Sequence, residues 1–148
     1  MIVRTASTGD FQDIVRLYRQ LNPDDLVIND GSDREMYDTI LASSWLHIFV
    51  LELEGIIVAT AYLNVIPNIT REVSPYAIIE NVVTEESQRG KGFGKYLMQK
   101  VLSFAWQNGC YKAILQTGSK KEETHEFYKG CGFIKGERFA FVAYPPKE

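Results

Sequence analysis

Phe11, Ile14, Val15 and Tyr18 recur at spacings of three and four, the period of one helical face. Thr8 and Asp10 offer caps at the start of that helix, and Asn22-Pro23 stops it near Leu21. Ile2 to Thr5, before it, reads as a short strand. Residues 22–33 are polar and rich in turn formers, so they read as a loop, and Arg34 to Ser43 as a second short helix. The runs His47 to Leu53 and Ile56 to Val65 flank Glu54-Gly55 and predict a β-hairpin with a tight turn. Residues 67–74 form another loop, and Tyr76 to Thr84 a strand. Phe93, Leu97, Val101 and Phe104 make the apolar stripe of a helix that Asn108-Gly109 ends. A strand at Tyr111 to Gln116, a helix at Glu122 to Lys129 and strands at Phe133 to Ile134 and Arg138 to Tyr144 complete the chain. Strands outnumber helices and connections are mixed. This predicts an α/β protein of α+β type, one mixed sheet covered by helices. No repeat, low-complexity tract or domain boundary appears, so residues 1–148 read as a single domain.

Composition narrows the class. A chain of 148 residues with 45% apolar positions can build one substantial core. It has no apolar run of membrane-spanning length and no charged-then-apolar leader at Met1, so the expectation is a cytoplasmic protein with no membrane partner. Cys110 and Cys131 form no metal pattern, and a reducing compartment keeps them as thiols. Asn68-Ile69-Thr70 fits a glycosylation sequon, which has no role without secretion. A net charge of -3 argues against nucleic acid as a partner.

Against that acidic background, residues 88–100 carry Arg89, Lys91, Lys95 and Lys100 with no acid. The same stretch holds Gly90, Gly92 and Gly94, between the strand ending at Thr84 and the helix starting at Phe93. A glycine-rich turn lets backbone N–H groups approach an anion, and the helix N-terminus adds partial positive charge. The pattern reads as a diphosphate site. It is not a P-loop, because Tyr96 follows Lys95 where Ser or Thr is required. Nor is it the dinucleotide fingerprint, whose third glycine would fall on Leu97.

Arg89-Gly90-Lys91-Gly92-Phe93-Gly94 resembles the acetyl-CoA signature Gln/Arg-x-x-Gly-x-Gly/Ala of the GNAT superfamily of N-acetyltransferases. Downstream, Phe127-Tyr128-Lys129-Gly130-Cys131-Gly132-Phe133 resembles that family's FYxxxGF segment, in the family's usual order and spacing. The likeness is clear over residues 76–136. It implies a GNAT-like fold, with a mostly antiparallel mixed sheet of six to seven strands and about four helices. It also implies acetyl-CoA as co-substrate and no metal. Gly90, Gly92 and Gly94, with Arg89, Lys91, Phe93 and Lys95, would wrap the CoA diphosphate. Val82, Val83 and Thr84 would pair with pantetheine through their backbone, and an N–H there would stabilise the thioester oxyanion. Tyr128 takes the place of the family's proton donor to the leaving thiolate.

Glu80 is the candidate base. It is the one acid between Tyr76 and Thr84, and a carboxylate inside a sheet is costly unless paired or functional. Burial there would tune it toward proton acceptance. Its place also resembles a Glu-Asp pair of glucosamine-6-phosphate N-acetyltransferases, with Asn81 second. His125 is an alternative base, three residues before Tyr128, while His47 looks structural. Lys121 stands where many members carry a pantetheine-contacting Asn, leaving Ser119 or a lysine for that contact, and Glu86 replaces a frequent Pro.

The resemblance places the acceptor among residues 22–37, 62–76 and 138–144. Asp24, Asp25, Asp30 and Asp33 suit a cationic acceptor or a solvated loop equally. Arg71 or Arg138 would bind a sugar phosphate. The expected acceptor is the primary amine of a small molecule; a peptide or protein N-terminus, or a CoA-binding regulatory module without turnover, are the alternatives. Arg138 to Tyr144, with alternating aromatics, would also offer an edge to a second copy in a homodimer.

Overall fold

The hairpin at Glu54-Gly55 lies at the centre of a five-stranded sheet. Strands β1 (Ile2–Thr5), β2 (Leu46–Leu53), β3 (Ile56–Ile66), β4 (Tyr76–Thr84) and β5 (Ala113–Ile114) lie side by side in that order. β1 to β4 pair antiparallel and β5 joins β4 in parallel, which is the mixed, mostly antiparallel sheet expected. Glu54 and Gly55 both take left-handed backbone, φ 53° and 83°, as a two-residue hairpin turn requires. The helices are α1 (Phe11–Leu21), α2 (Ser32–Ala42), the short α3 (Thr70–Val73), α4 (Phe93–Gln107) and α5 (Glu122–Gly130). This computed structural model describes residues 1–146, which form two compact units, residues 1–115 and the residues from 116 onward.

The first unit is a sheet with a helical layer on each face. Phe11, Ile14 and Leu17 of α1 and Tyr37 of α2 bury against Ile48, Val50, Ile57 and Val83. On the opposite face α4 packs against β2, β3 and β4 with Leu97, Met98, Val101 and Ala105 fully buried. Phe104 meets Phe49 and His47 edge-on, at 5.2 and 4.8 Å between ring centroids, so His47 is part of the packing. At the start of α1, Asp10 accepts bonds from the Ser7 N–H and from both terminal nitrogens of Arg4, at 2.7 to 2.9 Å. The Arg4 guanidinium holds the Asp10 carboxyl well below the usual carboxylate range and also bonds Glu52, tying β1, β2 and α1 together.

The register of β3 on β4 slips once. Thr60 pairs with Val83 and Tyr62 with Glu80, so Asn81 and Val82 oppose the single residue Ala61. This is a β-bulge, with Asn81 at φ 50°, a region that Asn enters more readily than most residues. Without the bulge Glu80 and Val83 would face opposite sides of the sheet. With it, both share the α1/α2 face with Tyr62 and Thr60, their cross-strand partners.

In the second unit α5 ends in a turn in which the Phe133 N–H bonds the Tyr128 carbonyl at 3.1 Å. Phe133 to Ile134 and Arg138 to Tyr144, expected as strands, are irregular, so the described residues form five strands rather than six or seven. Phe139, Phe141 and Tyr144 are 84 to 95% exposed, so no face is buried there, and alternation alone holds no strand without a ladder partner. The expected strand from Tyr111 to Gln116 shortens to Ala113–Ile114. No helix among the described residues is long and apolar enough to cross a membrane.

Candidate active site

The glycine turn has the geometry that anion binding requires. Gly90 and Gly92 take φ 76° and 83°, which a side chain would oppose, and Gly92 is the residue at the start of α4. A Cβ built on either would meet nothing within 4 Å, so the ground above the turn is open. Gly94, by contrast, is buried in the first turn of α4. The first helical bond runs from the Tyr96 N–H to the Gly92 carbonyl at 3.0 Å. The amides of Phe93, Gly94 and Lys95 precede it and lack an intrahelical acceptor, so they project from the helix end with its partial positive charge. Arg89, Lys91 and Lys95 are exposed around them, with Phe93 half-buried. Arg89 Nε donates to the Thr84 carbonyl at 3.1 Å, and Lys91 Nζ to Gln88 Oε1 at 2.9 Å.

A clamp invisible in the linear sequence fixes this turn. Glu85 pairs with Arg16 and accepts from Gln20 Nε2 at 2.6 Å, while the Glu86 N–H donates to Gln20 Oε1 at 3.0 Å. Arg16 also donates to the Ile57 carbonyl at 2.7 Å. The last turns of α1 therefore hold the exit from β4, and Glu85 faces Arg16 instead of repelling an anion. No local signal marks this contact, because its partners lie 65 to 69 residues apart.

Next to the turn, the outer edge of β4 is bare. β5 pairs only with Ala77 and Ile78, so from Ile79 to Thr84 β4 has no strand neighbour on that side among the described residues. An extended ligand chain can bond there as an added strand would. Val82, Val83 and Thr84 lie along that stretch, Val83 with its side chain in the core and Val82 and Thr84 half-buried. Their common property is a backbone beside the bulge.

Glu80 is exposed, contrary to the burial expected of it. Ile79 and Val83 on the same stretch are buried, and the candidacy of Glu80 as a base rests on its place at the bulge. Asn81, half-buried at that bulge, lines an apolar cavity of about 230 Å³ beneath α1 and α2, a feature the linear sequence does not announce. Of the four loop aspartates, Asp33 lines this cavity. Asp30 instead accepts from the N–H and Oγ of Ser32, at 3.0 and 2.7 Å, and those bonds hold its carboxyl below the usual range. Asp24 and Asp25 are exposed. Arg71 lies over the Tyr111 ring at 5.8 Å, at the other end of β4 from the glycine turn. Arg138 is exposed.

In the second unit Tyr128 is half-buried, its ring edge-on to Phe127 and Phe133 at 5.1 and 6.2 Å. His125 is engaged on both nitrogens, Nε2 at 2.7 Å from the Ser119 carbonyl and Nδ1 at 2.8 Å from Lys135 Nζ. An Nε2 that donates and an Nδ1 that accepts make it a strut between loop and helix, which weakens it as a base. Ser119 Oγ accepts from the Lys121 N–H at 3.3 Å and donates to Thr124 Oγ1 at 3.2 Å, just before and within the first turn of α5. Among the described residues no group of three or more His, Cys, Asp or Glu is placed to hold a metal ion.

Comparison with known proteins identifies the family. The acetyltransferase (GNAT) family pattern matches residues 11–133. Glucosamine 6-phosphate N-acetyltransferase of Trypanosoma brucei brucei is 36% identical over 91 residues, 62% of this chain and 60% of that protein, so the match spans somewhat over half of the relative. A structure from Agrobacterium tumefaciens str. C58, described provisionally as an acetyltransferase, is 37% identical, with TM-score 0.91 over 97% of this chain and 100% of that one. Glucosamine-6-phosphate N-acetyltransferase of Arabidopsis thaliana is 25% identical, with TM-score 0.83 over 97% of each chain. With both motifs and four of the five strands inside the matched span, the chain belongs to the acetyltransferase (GNAT) family.

Proposed function

We propose that this protein transfers an acetyl group from acetyl-CoA to the primary amine of a small molecule, with residues 1–148 acting as one catalytic domain. The observation that carries the reading is the open glycine turn at the start of α4 beside the bare edge of β4. The turn, Gly90, Gly92 and Gly94 with Arg89, Lys91, Phe93 and Lys95, receives the diphosphate. The backbone of Val82, Val83 and Thr84 receives the pantetheine arm. An N–H at the bulge faces the thioester oxygen and stabilises the charge that develops as the amine attacks. Glu80 accepts the proton that the amine must lose, directly or through water. The C–N bond forms, the C–S bond breaks, and Tyr128 donates a proton to the departing sulfur. The overall reaction yields an N-acetyl amide and the free CoA thiol.

The relatives' names support a small acceptor, since glucosamine 6-phosphate and aminoglycosides are small-molecule amines. A thiol-release assay with acetyl-CoA and a panel of primary amines tests the reading. Turnover that depends on amine supports it. Hydrolysis alone, or turnover with peptides and none with small amines, overturns it.

A further inference from the structure

The cavity beneath α1 and α2 is built from groups of unusual composition for a sugar-phosphate site. Phe11, Ile14, Met36 and Ile48 supply apolar walls, and among the described residues no lysine or arginine lines it. A phosphorylated acceptor seated here would find no cation in the lining, since Arg34, over the Phe11 ring at 5.2 Å, is paired with Asp38, and a polycation would find one carboxylate, that of Asp33. The polar groups are sparse. Asn81 sits at the bulge, and the Tyr18 hydroxyl is buried near Asn81 and Thr60 without a well-formed hydrogen bond among the described residues. A buried hydroxyl left unpaired is costly, so one that lines a cavity marks a place for a ligand's polar atom. Tyr62 also lines the cavity and is the direct cross-strand neighbour of Glu80 on the same face. The cavity therefore adjoins the carboxylate and the bulge on which the proposed reaction depends. Its volume, about 230 Å³, compares with about 150 Å³ for a cavity that holds benzene. It accommodates a body of about nine or ten non-hydrogen atoms by that scale.

Resting on the acetyltransferase reading, we propose that this cavity is the acceptor pocket and that its substrates are compact apolar primary amines, aralkyl or alkyl, rather than amino-sugar phosphates. The apolar body fills the space between α1 and α2. The amine nitrogen lies at the bulge, donating one N–H to Tyr18 Oη and giving another proton to Glu80 as it attacks.

The test compares 2-phenylethylamine, hexylamine, glucosamine 6-phosphate and an aminoglycoside in the thiol-release assay. Alongside it, saturation-transfer NMR follows 2-phenylethylamine on the protein without acetyl-CoA. The expected kcat/KM for 2-phenylethylamine exceeds that for glucosamine 6-phosphate by about 100-fold, from desolvating an unpaired charge. Met36 is exposed at the rim, so M36W fills the pocket without disturbing the core. It should abolish the NMR signal and raise KM for the amine at least tenfold, leaving acetyl-CoA affinity unchanged. Y18F should raise KM by about 3- to 10-fold, the loss of one hydrogen bond, while Tm holds or rises because an unpaired hydroxyl is gone. A purely structural Tyr18 would leave KM alone. Faster turnover of glucosamine 6-phosphate, or NMR transfer unaffected by M36W, overturns the pocket assignment and leaves the acetyltransferase reading standing. Failure to bind acetyl-CoA overturns both.

Discussion

Gly92 and Gly55 form a matched pair that separates backbone strain from ligand binding. Both take φ 83°, and a Cβ at either meets nothing within 4 Å. Alanine at each position should therefore incur the same penalty for left-handed backbone, about 1–2 kcal/mol. For a chain of this length that corresponds to a Tm lower by about 3–8 °C. The two positions differ in what they face: Gly55 is in the β2–β3 turn, and Gly92 opens α4 beneath the proposed diphosphate. In G92A the new methyl group occupies the approach to the amides of Phe93 and Gly94. Losing one charge-assisted N–H bond to phosphate is worth about 1.5–3 kcal/mol, or roughly 10- to 150-fold in affinity. Thermal melts with acetyl-CoA titration of G92A, G55A and the parent protein measure both quantities. The expected result is two equal losses of Tm with binding weakened only in G92A. Equal affinity in the two variants would refute the cradle, because the same strain would then have no consequence at the turn.

Other outcomes follow from the same geometry. Y128F should lower kcat by about 10- to 100-fold with little change in KM for acetyl-CoA, the scale of one lost proton donor, read by steady-state kinetics. E80Q should lower kcat by a similar factor at pH 7 and recover partly at pH 9, where more of the amine is already neutral; an unchanged rate at pH 7 would remove Glu80 from the chemistry. Arg4 depresses the Asp10 carboxyl, so this ion pair stabilises the fold above about pH 4 and the contribution disappears as pH falls through the lower folded-state value. D10N should accordingly lose about 2–3 kcal/mol in urea unfolding at pH 7, and the gap from the parent protein should narrow below about pH 3. R16M should loosen acetyl-CoA binding several-fold by freeing Glu85 beside the turn, an effect that added salt reduces.

Local signals account for what the sequence made legible. The helix stripe Leu97 and Val101, the Glu54-Gly55 hairpin and the glycine turn each depend on residues a few positions apart, and each is where the pattern placed it. The features of the site that escaped notice depend on register and long-range contact. Asn81 gives little warning that two residues of β4 oppose one of β3, yet that slip decides which face Glu80 occupies. Glu80 looked buried because it lies inside an apolar run. It is exposed while Ile79 and Val83 on the same strand are buried, a contrast that no local pattern announces. The cavity arises from residues of α1, α2, β2, β3 and β4, which no single window contains. Arg138 to Tyr144 failed as a strand for the opposite reason: its alternation was clear, but no face is buried.

The most direct test of the account is calorimetric titration of the purified protein with acetyl-CoA, with ATP and NAD as controls. Micromolar, one-to-one binding of acetyl-CoA that ATP and NAD do not match is the result predicted. No acetyl-CoA binding, or equal binding of ATP, would contradict it and leave the turn at Gly90 to Gly94 a general phosphate loop.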